Sequence, residues 1–180
     1  LRALDSDTVL ASAAYVLASL LTFEVLSPLQ NVFFPEYSSK ASLLFLPHGV
    51  RVLAAWLLGW RAVPALLPGV FIVFAYMGGA DVFLPSRLWA IFVAVISAPA
   101  VFHGLKLLGW DLFPQPGRKP CWACVMVAGT LASVLLSVLT NAAFGSPTEE
   151  YVAYLIGDIS GLFFLMLGLL FAFRYTRAAG

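Results

Sequence analysis

Six stretches dominated by apolar side chains, each broken off by polar, glycine or proline residues, divide the chain at about 8–27, 43–60, 64–76, 88–108, 121–143 and 151–173. An α-helix rises 1.5 Å per residue and a hydrocarbon core is about 30 Å thick, so about 20 apolar residues suffice for one crossing. The pattern therefore predicts an all-α, polytopic helix bundle of about six transmembrane helices in a single domain, residues 1–180. Span three, with Pro68 and Gly69 inside it, is short and is expected to be kinked or tilted. Span five is rich in Ala, Ser, Thr and Gly129, which lets helices approach closely, and is expected at the centre of the bundle. The first stretch has no cleavage-site pattern and reads as a retained span.

Composition agrees with the pattern. Of 180 residues, 62% are hydrophobic and only 11% charged, and the mean hydropathy is +0.96, which leaves too little polar surface to coat a water-facing exterior. A formal charge of +1 offers no basic surface for nucleic acid, so that partner class is excluded. Membrane lipids are the expected surroundings. An even number of spans places both termini on one side, with Arg2, Arg61, Lys106, Arg118, Lys119, Arg174 and Arg177, against Lys40 and Arg87 opposite. The positive-inside rule then predicts cytoplasmic termini and an outward loop at Glu149 and Glu150.

With this alternation, offset along a span converts to depth. Glu24, His48, Arg51, Asn141 and Asp158 all fall in the outer half, and an ion pair between Arg51 and Asp158 is the favoured match. Two readings remain open. The five residues form an outward polar pocket for a small solute, an ion or a proton, or they are a polar staple that fixes helix register.

The remaining chemistry is sparse. His103 could ligate a pigment or metal, but a ring at a helix end ordinarily finds water or a carbonyl, which is the reading preferred here. Cys121-Trp122-Ala123-Cys124 has redox or zinc half-site spacing without a second pair; at a reducing cytoplasmic edge the two thiols read as packing or interfacial residues. Neither a nucleophile elbow, a Walker loop nor a zincin helix occurs, so no enzyme is expected, and nothing names a cofactor.

Leu46-Pro47-His48-Gly49-Val50, then Leu57-Leu58-Gly59-Trp60-Arg61-Ala62-Val63-Pro64-Ala65, and later Tyr154-Leu155-Ile156-Gly157-Asp158-Ile159-Ser160-Gly161 resemble the MASE1 membrane-associated sensor domain. That family has a Pro-x-Gly helix start, a Gly-Arg-like turn, a further proline helix and a late Gly-Asp-x-x-Gly element; His48 stands where it more often has a small or apolar residue. The resemblance implies a sensory or regulatory module of the bacterial inner membrane that precedes a kinase or cyclic-di-nucleotide enzyme. No output domain is visible within the 180 residues, so signalling is expected to need a partner or a cytoplasmic continuation. The alternative is an accessory structural subunit of a larger photosynthetic or respiratory complex; a small-solute carrier stands third.

Overall fold

The computed structural model describes residues 2–33, 42–117, 119–144 and 148–178, with side chains left undescribed at 2–5, 141–144, 148–151, 173 and 176–178. The described residues are mostly helical, and the longest connector between helices is 108–121. The order is α1 (Arg2–Leu20), a π-helical stretch (Leu21–Leu26), α2 (Ser27–Phe33), α3 (Leu46–Leu58), α4 (Ala62–Gly78), α5 (Pro85–Leu107), α6 (Trp122–Phe144) and α7 (Thr148–Ala178). Five helical stretches among them are long and apolar enough to cross a membrane: Ser6–Phe33, Leu46–Phe83, Pro85–Leu107, Trp122–Thr140 and Val152–Ala172.

One boundary differs from the sequence reading and one agrees with it, each for a local reason. Helix does not stop at Pro28, because the π-helical stretch shifts the ladder so that the Ser27 N–H reaches the Thr22 carbonyl just before the residue with no N–H to give. The stretch Leu46–Phe83 is one apolar segment by length, yet Gly59 at φ 58° turns the chain and α4 packs back on α3. A side chain rarely adopts that backbone, so glycine sets the break.

The centre of the bundle is α3, not span five. It packs against α1, α4, α5, α6 and α7, and nine of its 13 residues are buried. The small residues of α6 act on one face only: Ala128, Ala132 and Ser133 are buried, while Val127, Leu131, Val134 and Val138 are exposed. Close approach is also used elsewhere. Gly69 lies against the Ser12 backbone, and the Ser12 hydroxyl takes the Gly69 N–H (3.0 Å) while donating to the Ala65 carbonyl (2.8 Å), which ties α1 to α4. The connector at 42–45 wedges onto α7: the Phe45 N–H bonds the Gly157 carbonyl (2.9 Å) and the Ser160 hydroxyl bonds the Leu43 carbonyl. A Cβ at Gly157 or Gly161 would strike the carbonyls of Ser42 or Phe45, so both positions need glycine. The Leu46 N–H, at the start of α3, is taken by Thr22 of the π-helical stretch (3.3 Å). This wedge sets the height of α3 against α1 and α7, and with it the position of His48 and Arg51.

Candidate functional site: a buried polar junction beside a cavity

Pro47 occupies the first turn of α3, where its missing N–H costs nothing, and the next turn carries His48 and Arg51 into the bundle. Both are buried, as is Asp158 on α7. The His48 ring meets two other helices and a residue of its own. Its Nε2–H donates to the Gly129 carbonyl of α6 (3.1 Å), an approach open because Gly129 has no side chain between α3 and α7. Its Nδ1 is 3.4 Å from Arg51 Nη2 and 3.5 Å from Asp158 Oδ2. The Ser133 hydroxyl of α6 donates to that same Oδ2 at 2.5 Å.

Two groups of opposite charge thus address one ring nitrogen. With Nε2–H committed to Gly129, a neutral His48 offers the Nδ1 lone pair, which accepts from Arg51. A protonated His48 has a second N–H, which donates to Asp158 and is repelled by the guanidinium. One proton therefore decides which of the two helical partners the ring serves.

Arg51 and Asp158 are brought to one level, but among the described residues no ion pair joins them, and His48 stands between. The expected direct pair is replaced by a bridged one. Arg51 Nε, buried, has no hydrogen-bond partner, and the guanidinium also stands 5.9 Å from the centre of the Phe45 ring. Glu24 does not join the junction: it is exposed and accepts a hydrogen bond from the Tyr76 hydroxyl (3.0 Å). The Asn141 side chain lies outside the described residues.

Arg51 and Asp158 also line a cavity of about 570 Å³ between α1, α3, α4, α5, α6 and α7. Tyr15, Phe23, Phe45 and Phe74 form part of its wall, and the exposed Met77, Arg87 and Tyr154 bring it to the surface. The sequence reading did not include Gly129, Ser133, Tyr15 or Arg87 in the site. Ser133 carried a signal, since it lies one turn after Gly129 on the small-residue face of span five. Arg87 carried none beyond its charge.

His103 is placed elsewhere. Its Nδ1–H donates to the Pro99 carbonyl of its own helix (2.9 Å), and the ring lies between Trp60 (5.0 Å between centres) and Phe113 (4.9 Å). No group of three or more His, Cys, Asp or Glu able to hold a metal occurs among the described residues. Cys121 and Cys124 are joined as a disulfide rather than standing as packing thiols. The nearby Trp56 indole donates to the Leu112 carbonyl (2.6 Å) and packs on Trp122, closing that end of the bundle.

Comparison of the chain with protein-family models, with curated proteins and with solved structures finds no match.

Proposed function

We propose that the chain is a MASE1-like sensory or regulatory membrane module of six crossings, with both termini in the cytoplasm of a bacterium, in which occupancy of the cavity is passed to α7 through His48. The observation that carries this reading is the shared Nδ1: Arg51 addresses its lone pair and Asp158 the proton it can take up, so a change at Arg51 alters the protonation of His48 and with it the hold on Asp158. Asp158 lies on the helix that runs on to Ala178, which gives the change a route to the end of the bundle bearing the termini. The glycine and aspartate positions of the MASE1-like element lend support, since Gly157 and Gly161 receive the connector while Asp158, between them, faces the junction. A simple staple needs neither a cavity nor a buried guanidinium with an unbonded Nε. The output is expected from a partner chain or a cytoplasmic continuation.

The test is a pair of nitroxide labels at Leu57 and Tyr175, both exposed and near the same end of α3 and α7, read by pulsed electron resonance on the full chain in lipid nanodiscs. Asp158→Asn is expected to shift or split the distance distribution relative to the unsubstituted chain. An identical single distribution in both, with the variant folded, would reduce the junction to a staple. Stoichiometric co-purification with a large membrane complex would instead favour the accessory-subunit reading.

A further inference from the structure

We infer that the cavity binds an amphipathic carboxylate, its head group on Arg51 and its apolar body against the aromatic wall. This rests on reading the cavity as a ligand site, as above, but not on signalling. Arg51 is 4% exposed, its Nη2 is spent on a long contact to His48, and its Nε has no partner, yet the side chain lines the cavity. A buried guanidinium in this state lacks the charge-assisted acceptor that such groups ordinarily hold. Asp158 does not fill that role, because its Oδ2 takes the Ser133 hydroxyl and faces His48.

The described lining carries two guanidinium groups, Arg51 and Arg87, against the one carboxylate of Asp158, so an anion is favoured. One buried guanidinium balances one negative charge and presents a planar fork, which suits a carboxylate better than a doubly charged phosphate ester. Arg87, exposed at the mouth, draws the anion in and pairs with no carboxylate among the described residues. Beyond the head group most of the wall is apolar, with Phe23, Phe45, Phe74 and Val73 among its lining and only hydroxyls such as those of Ser137 and Thr140 as polar groups. Its volume of about 570 Å³ falls within the usual range for a small organic ligand, about 300–1,000 Å³. A carboxylate accepting from Arg51 would draw the guanidinium from His48 Nδ1, and that nitrogen, once it takes a proton from solvent, donates to Asp158. Two sources supply such a molecule: a fatty-acid anion from the bilayer, or a soluble aryl or alkyl carboxylate entering past Arg87.

The experiment is photolabelling of the full chain in phosphatidylcholine nanodiscs with 4-benzoylbenzoate, using the uncharged 4-benzoylbenzamide as its control and mapping adducts by peptide mass. The acid is expected to label the cavity around Met77 about tenfold more than the amide, and Arg51→Gln is expected to remove that preference. Arg87→Gln, an exposed change that leaves the fold alone, is expected to reduce acid labelling about threefold. Equal labelling by acid and amide overturns the inference, and that comparison needs only the unsubstituted chain should Arg51→Gln fail to fold. Laurate added to the bilayer and 4-phenylbutyrate added to the buffer are then run as competitors. Displacement by laurate assigns the membrane source and displacement by phenylbutyrate the soluble one, while displacement by neither overturns the inference. Acid-selective labelling with an unmoved α7 would leave this site standing and sink the sensory reading; a moved α7 without acid selectivity would do the reverse.

Discussion

His48 and His103 each sit on a long apolar helix three residues before a basic side chain, yet different parts of the chain hold their rings. His103 bonds a carbonyl of its own helix and is flanked by aromatic rings from two connectors, so its surroundings hardly depend on how the helices stand to one another. His48 bonds α6, faces α7, and shares Nδ1 between a cation and an anion that both line a cavity. The first arrangement closes the end of the bundle that bears the termini. The second, toward the other end, makes helix position depend on charge. Residue type and spacing alone do not separate the two; the origin of the partners does.

The strongest way to break the comparison is to remove the wedge that sets the height of α3. Gly161→Val places a side chain onto the Phe45 carbonyl and the Leu46 N–H, backbone atoms that cannot turn aside, and the expected loss is about 3 kcal/mol or more. Denaturant titration in mixed micelles measures it. Full stability would mean that the connector does not lodge there, and the junction would lose its support.

Next in size is the contrast itself. His48→Leu leaves a buried guanidinium and a buried carboxylate without their bridge and is expected to cost about 2–4 kcal/mol. His103→Leu gives up ring stacking and one bond within its own helix, for about 1 kcal/mol or less. Melting of the two variants side by side decides the matter, and equal losses would erase the distinction.

The fold was largely legible, because helices in lipid must satisfy their own backbone and so announce themselves as long apolar runs. The level of His48, Arg51 and Asp158 was legible too, since depth follows from counting residues at a fixed rise. Rotation about the helix axis was not. Helices apolar on nearly every side give a weak facing signal, so depth alone groups Glu24 with the others although Thr22, two residues earlier, is the buried one. The central place of α3 was hidden for a similar reason: small residues show that a face is close-packed, not that all faces are. The bonds of Gly129, Ser133 and Ser12 involve carbonyls or hydroxyls that any helix could offer, and only the assembled bundle selects them. The disulfide of Cys121 and Cys124 is not legible from the expected redox state of one side of the membrane, which concerns the surroundings and not the four-residue segment.

The smallest expected effect sharpens the comparison by testing its edge. Glu24 shares the approximate depth of the junction, but its carboxylate is turned outward to the Tyr76 hydroxyl. Glu24→Gln keeps an oxygen that can accept that bond and removes only the charge. An exposed hydrogen bond of this kind contributes little, since water or a headgroup replaces either partner. The melting temperature and the Leu57–Tyr175 distance distribution are therefore expected to match the unsubstituted chain, whereas Asp158→Asn, also the loss of one carboxylate charge, moves the latter. Equal shifts from the two substitutions would mean that α7 responds to total negative charge at this level of the bundle rather than to the atom facing His48. The junction would then extend to the exposed face of the π-helical stretch, and the cavity-side site would be one part of a wider charged belt.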